Sequence, residues 1–224
     1  MRIFKQVDYT LNEKIVGKEG SPYVVEIQSK EFEEYKKMYN KDIFHNLKNF
    51  KGGNDFSNLP NNLDGHLVRR KKIIDVMNYT PYFFGLDIIV SEKFKNTIEN
   101  LHIDNNEFCF KRIKIKNTGD DCYLLLVPYV DYIDLIFEKT IYRRKTYDEI
   151  FYKQYSSNEE RLKDEDKYKY DIHKGYISEK YKNYDIINLR GGGLYFSERL
   201  ITELIENNII GLDIHSTNEV IISD

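Results

Sequence analysis

The chain has 224 residues, 41% hydrophobic and 14% aromatic against 32% charged, a composition that builds a core and excludes a disordered protein. A net charge of -3 and an isoelectric point near 6.0 argue against a dedicated nucleic-acid binder, whose domain would be basic. The longest uncharged apolar run, Cys122 to Val130, is far below the roughly 18 residues of a membrane span, and the amino terminus lacks a secretory pattern, so a cytoplasmic protein without membrane association is expected.

Two strand-like runs, Met1 to Tyr9 and Tyr23 to Gln28, flank a Gly17 to Pro22 breaker cluster and predict an edge hairpin. Ser29 then caps a predicted helix with Phe32, Tyr35 and Tyr39 on one face, acids early and lysines late. Lys48 to Gly65 is dense in turn residues without either period and predicts a long loop. Tyr82 to Val90, Ser91 to Leu101 and Glu107 to Lys116 predict strand, helix and strand, with Phe94, Ile98 and Leu101 on the helix's buried face. A hairpin turn is expected at Asn117 to Asp120, followed by a central strand over Cys122 to Val130, apolar at both parities. Asp131 to Thr140 fits strand and helix equally.

Residues 142–184 hold nine of the 19 tyrosines and read as a Tyr-rich insertion, with a solvated helix or loop from Ser156 to Lys169. Tyr184 to Leu189 resumes a strand, and Arg190 to Gly193 interrupts it. Leu194 to Phe196 feeds a helix from Ser197 to about Asn207, and Ile209 to Ile214 and Val220 to Ile222 predict two short closing strands. Cys109 and Cys122 lie at different distances from the hairpin turn, too far apart for a disulfide, and are expected as free thiols.

The most specific signal is an internal echo: Ile88-Ile89-Val90-Ser91-Glu92-Lys93-Phe94 and Leu194-Tyr195-Phe196-Ser197-Glu198-Arg199-Leu200. Each reads as a strand end entering a helix, with Ser as the cap, Glu at the positive helix end and an apolar residue opening the buried stripe. An ordinary capped helix would look the same. Both copies together, with a hydrophobic hairpin between them, resemble the immunity proteins of bacterial polymorphic toxin systems, a family first catalogued as a domain of unknown function. The resemblance runs through Gly85 to Phe94, Tyr123 to Val130 with Asp131, Leu189-Arg190-Gly191, Leu194 to Leu200 and Gly211 to Ile214. It covers roughly residues 82–216 and leaves the amino-terminal third unmatched. It implies a non-enzymatic protein that binds a cognate toxin and occludes its active surface, with Ser91, Glu92, Ser197 and Glu198 as cap residues first.

No P-loop, dinucleotide fingerprint, nucleophile elbow or zinc-protease motif is present, and no cofactor or metal is expected. Gly191 to Gly193 suits a bulge or tight turn better than a phosphate cradle. Asp171-Ile172-His173 and Asp213-Ile214-His215 each put a carboxylate and an imidazole on one strand face, the residue types of a hydrolase, but a third group is not identifiable. Arg69-Arg70-Lys71-Lys72 and Arg143-Arg144-Lys145, beside Tyr142 and Tyr147, could track phosphates, the basis of an alternative nucleic-acid-binding reading that the acid balance disfavours. Residues 194–224 contain six acids and one base, a net of -5. In the helix from Ser197, Leu200, Ile201, Leu204 and Ile205 are expected to face inward and Glu203 and Glu206 outward, so Glu198, Glu203, Glu206 and Asp213 are the candidate partner-binding residues. The expected architecture is α+β: a mixed or antiparallel sheet with two Ser-capped helices packed on it and an amino-terminal hairpin-helix extension. Residues 1–81 form the extension and residues 82–224 the immunity-like domain.

Overall fold

A computed structural model describes residues 2–18, 23–30, 32–34, 37, 56, 59–81, 88–165, 170–189 and 192–222. The molecule is a mixed α and β protein with two seven-stranded mixed sheets, where the sequence predicted one. The chain divides into two compact units: one of residues 1–7, 129–201 and 214–224, the other of residues 8–128 and 202–213.

The strands are β1 Ile3–Tyr9, β2 Val25–Ile27, β3 Asn62–Leu67, β4 Val76–Met77, β5 Tyr79–Thr80, β6 Ile88–Ser91, β7 Cys109–Ile115, β8 Asp121–Leu126, β9 Ile141–Lys145, β10 Ile150–Lys153, β11 Asp171–Ile177, β12 Ile186–Leu189, β13 Gly193–Ser197 and β14 Leu212–Ile222. Helices whose bounds fall within the described residues are α1 Glu13–Val16, α2 Glu92–Asn100, α3 Asn158–Glu165 and α4 Glu198–Glu206, and residues 30, 32–34 and 37 are also helical.

One sheet runs β4-β6-β8-β7-β3-β2-β5. Its middle is the predicted hairpin: β7 and β8 pair antiparallel with Ile113 opposite Cys122, and Gly119, at φ +85°, donates to the Ile115 carbonyl at 2.7 Å in the turn. β8 lies between β6 and β7, so Cys122, Leu124 and Leu126 are fully buried, as the apolar run required. With Ile89, Ile113, Ile115, Met77 and Tyr79 they form one core. α2 lies against β6 and β8. Gly211 closes on this unit with φ +100°, where a Cβ would stand 2.5 Å from the Val76 carbonyl oxygen, so only glycine fits. Cys109 faces Leu126, four residues along the strand from Cys122, which at ~3.3 Å per residue keeps the sulfurs apart. Both thiols are free.

The other sheet runs β12-β13-β1-β14-β11-β9-β10. Phe4, Ile172, Ile177, Ile187, Leu189, Tyr195, Val220 and Ile222 build its core with Tyr142, Tyr155 and Tyr181.

These two orders are the same arrangement read strand for strand. β4 and β12 pair antiparallel with β6 and β13, and β6 and β13 antiparallel with β8 and β1. β7 and β14 run parallel to β3 and β11, which pair antiparallel with β2 and β9. β1 contacts β14 in antiparallel order, as β8 does β7: Arg2 with Ile222, Lys5 with Glu219, Gln6 with Asn218. The chain's first strand therefore occupies in one unit the position that β8 holds in the other. Among the described residues the two orders differ only at the far edge, where β5 joins β2 parallel and β10 joins β9 antiparallel.

Several expectations are corrected by these pairings. β1 and β2 belong to different sheets, so they form no edge hairpin. The predicted boundary between residues 1–81 and 82–224 falls inside a sheet, because β2 and β3 hydrogen-bond into the same sheet as β7 and β8. The Tyr-rich stretch is no insertion: β9, β10 and β11 are sheet strands, and Tyr142, Tyr155 and Tyr181 are buried. The predicted loop ends early, since Asn62–Leu67 is β3; residues 48–55, 57 and 58 lie outside the described residues. Around the predicted Ser29 cap, Phe32 donates to the Ser29 hydroxyl at 3.4 Å and is buried, while Tyr35 and Tyr39 lie outside the described residues. Asp131 to Thr140 is a 3-10 turn, Tyr132–Asp134, followed by a bridge from Leu135 to Ile177. β14 is one strand of 11 residues where two were expected.

Candidate functional site

The echoed motif is built the same way in each unit. Ser91 caps α2 by accepting the Phe94 N–H at 3.2 Å, its hydroxyl donates to Asp75 at 2.6 Å, and its N–H donates to the Asp75 carbonyl at 3.0 Å. Ser197 accepts the Leu200 N–H at 3.3 Å, donates to Asp185 at 2.5 Å, and its N–H reaches the Asp185 carbonyl at 2.9 Å. Each Asp opens an Asp-x-x-Asn run, Asp75 to Asn78 and Asp185 to Asn188, whose first two strand residues pair with the residues just before the Ser. The carbonyls of Asn78 and Asn188 then accept the N–H of Val25 and of Val130.

A third copy, Ser178-Glu179-Lys180-Tyr181, escaped the sequence reading. Ser178 donates from its N–H to the Asp134 carbonyl at 2.9 Å and from its hydroxyl to the carboxylate at 3.2 Å. It opens only a three-residue 3-10 turn and makes no side-chain cap bond. In all three copies the cation after the Glu reaches the same Asp: Lys93 at 3.8 Å from Asp75, Lys180 at 2.9 Å from Asp134, and Arg199 paired with Asp185. The next residue is buried each time, as Phe94, Tyr181 or Leu200. The motif is a clasp that ties a strand end to a carboxylate.

The clasp at Asp185 is the most charged. Arg2 joins it at 2.5 Å and also donates to the Lys182 carbonyl at 2.8 Å. Burial opposes the charge on Asp185, but hydrogen bonds from Arg199 and Ser197 and the charges of Arg2 and Arg199 outweigh it and hold the carboxyl below its ordinary range. Asp134 follows the same balance: burial raises it, and Lys180, Tyr181 and Ser178 bring it down.

α4 carries most of the candidate partner-binding residues. Glu198, Thr202, Ile205 and Glu206 are exposed, Leu200 and Leu204 are buried, and Glu203 is half-buried on the flank. Ile205, expected inward, is 59% exposed, because the stripe is narrower than predicted and centres on Leu200 and Leu204. Asp213 is exposed at the start of β14. Glu219, counted in the acidic tail, is committed elsewhere: it pairs with Lys5 at 2.9 Å and Lys174 at 3.4 Å.

Of the hydrolase candidates, His173 lies 3.4 Å from the Asn218 side-chain oxygen and packs on the Tyr152 ring, while Asp171 is exposed beyond a register shift in β11. Asp213 and His215 are both exposed. Among the described residues no group of three or more His, Cys, Asp or Glu is placed to hold a metal ion, and no helix is long and apolar enough to cross a membrane. Gly192 and Gly193 turn β12 back into β13, with Gly192 donating to the Leu189 carbonyl at 2.8 Å; Arg190 and Gly191 lie outside the described residues.

The basic runs are not continuous patches. Lys71 is buried and bridges to Gly17 while Arg69 and Arg70 are exposed, and Arg144 stacks on Phe151 at 4.9 Å. A different basic and aromatic row, not singled out in the sequence, crosses the outer face of β7 and β8. Phe108, Phe110 and Tyr123 follow one another at ring separations of 5.2 and 6.1 Å, with Lys95 5.3 Å over Tyr123. Arg112 and Lys114 continue it, both bound to Asp121, which they hold below its ordinary pKa, the Arg112 hydrogen bond contributing most. Comparison of the chain with protein-family models and with curated proteins finds no match.

Proposed function

We propose that the protein neutralises a cognate toxin by stoichiometric binding, without turnover of its own, and that the outward ridge of α4 is the docking face. The observation that carries this reading is Ile205: an isoleucine 59% exposed on the same helix face as Glu198 and Glu206. An apolar anchor rimmed by carboxylates has the composition of a docking surface. Carboxylates so placed compete with phosphates for the basic cleft of a nuclease-type toxin and speed encounter at low salt. The three clasps commit the Ser-Glu-Lys/Arg motifs to the scaffold and leave the exposed surface free to diversify. The test is co-expression with a nuclease-type toxin domain, sought first among the genes beside its own: the account expects rescue of growth by the parent and loss of rescue by Glu198→Lys/Glu206→Lys/Ile205→Lys at equal expression. Rescue by both proteins would move the docking face elsewhere, and rescue by neither would remove the function.

A second reading rests on Phe110 and Tyr123, half-buried rings that meet edge to face beside Lys95, an aromatic and cationic surface of the kind that takes single-stranded nucleic acid. The local acids Asp121, Glu99 and Asp64 already neutralise Arg112, Lys114, Lys95 and Lys116 in part, which weakens it. Salt-dependent retention of labelled oligonucleotide, abolished by Phe110→Ala, would favour this reading over the first.

A further inference from the structure

The two units share one strand order, yet they end differently. In one, β5 completes the sheet beside β2. In the other, β10 stands at the edge, bonded on one side to β9. Exposed edge strands in natural proteins are guarded by charges, prolines or bulges, since their open N–H and C=O groups template pairing with another chain. β10 is instead apolar on both faces: Ile150 is 52%, Phe151 37% and Tyr152 57% exposed, and Tyr147, just before it, is fully exposed. Arg144 stacks on the Phe151 ring and Tyr152 packs on His173, but among the described residues no strand pairs with the other side of β10, and its three large side chains stay over a third exposed, which is costly in water unless something covers them.

The charges around this strand say what fits there. Residues 148–153 read Asp-Glu-Ile-Phe-Tyr-Lys, acid at the start and base at the end. A second copy laid antiparallel about an axis through Phe151 sets Glu149 opposite the second copy's Lys153, Ile150 opposite its Tyr152, and Phe151 opposite its counterpart. The same pairs repeat on the other side of the axis, the self-complementarity that a twofold interface demands. A parallel second copy would stack Glu149 on Glu149 and Lys153 on Lys153, which is destabilising. Lys153 is already bonded to Asp164 at 2.5 Å. An ammonium group has three donors, so it can serve Asp164 and the incoming Glu149 together.

We propose that β10 is a homodimerisation edge, pairing antiparallel with β10 of a second copy of this chain around Phe151. The contact is short, so association is of the weak, reversible class. It does not depend on the α4 docking reading.

Sedimentation velocity over a micromolar to millimolar series tests this with five proteins. The parent moves from monomer to dimer. Glu149→Lys and Lys153→Glu each set like charges opposite one another and weaken self-association by about tenfold or more. The doubly substituted protein recovers it, and so does an equimolar mixture of the two single variants, in which every charged pair is again opposite. Tyr152→Lys, which leaves the Lys153 to Asp164 contact untouched, is monomeric and keeps the parent's far-ultraviolet circular dichroism; this arm decides the matter if Lys153→Glu fails to fold. A parent that stays monomeric throughout overturns the proposal. So do single reversals that dimerise like the parent, or a mixture that recovers nothing.

Discussion

Replacing Asp185 by Asn removes the charge from the most heavily bonded clasp while keeping its shape. The carboxylate is 2% exposed at its side chain and receives the Ser197 hydroxyl and both arginines. In the variant the amide oxygen still accepts from Ser197 and Arg2, but the amide nitrogen meets Arg199 donor to donor. Hydrogen bonds to a buried charge are worth about 1.5–3 kcal/mol each. Arg199 is 54% exposed and Arg2 31%, so water recovers much of each ion pair. The net loss at neutral pH is then about 2 kcal/mol, less than one full charged bond per arginine.

The pH dependence fixes the cause. The carboxyl's pKa is lowered in the folded protein, so its contribution is complete above the unfolded-state value near about 4 and fades as pH falls through the folded value. Urea denaturation of parent and Asp185→Asn, followed by far-ultraviolet circular dichroism from neutral to acid pH, should give two stability curves that are parallel above the unfolded-state pKa and converge below it. Equal stability at neutral pH would refute the clasp as a stabilising device. A deficit that persists unchanged in acid would refute its electrostatic origin.

Two further outcomes follow from burial. Leu204→Ala should cost about 2–5 kcal/mol in the same denaturation assay, whereas Ile205→Lys should stay within about 0.5 kcal/mol of the parent; the reverse order would mean the face of α4 is misassigned. Burial raises the Cys109 thiol and pushes Cys122 up to about 12, so native protein should alkylate slowly at Cys109 and not at Cys122. Both should react after unfolding without reductant, and rapid native labelling of Cys122, read by mass spectrometry, would contradict its place between β6 and β7.

What could be read from the chain was what local chemistry decides. The turn at Asn117 to Asp120, the caps at Ser91 and Ser197 and the central run from Cys122 each depend on residues within a few positions. The partners of those elements do not. β1 pairs with β13 from the far end of the chain, so the nearest strand-like run, β2, was a false partner. The clasp carboxylates lie 16 and 12 residues before their serines, and Asp134 lies 44 before Ser178, at no fixed spacing that could mark them. The shared strand order showed in the sequence only as the two seven-residue runs around Ser91 and Ser197, because the strand that corresponds to β8 is β1, more than 100 residues before the rest of its unit. β14 read as two strands because its middle, His215 to Asn218, is polar and mostly exposed. Ile205 read as core because sequence cannot tell an apolar residue at the rim of a stripe from one left in water for a partner.

Calorimetric titration of the purified protein with a nuclease-type toxin domain, sought first among the genes beside its own, tests the central claim most directly. The account predicts a one-to-one complex whose affinity falls with salt and is lost in Glu198→Lys/Glu206→Lys/Ile205→Lys, with the variant still folded by far-ultraviolet circular dichroism. Absence of binding by the parent, or binding by the variant at the parent's affinity and salt dependence, would contradict it.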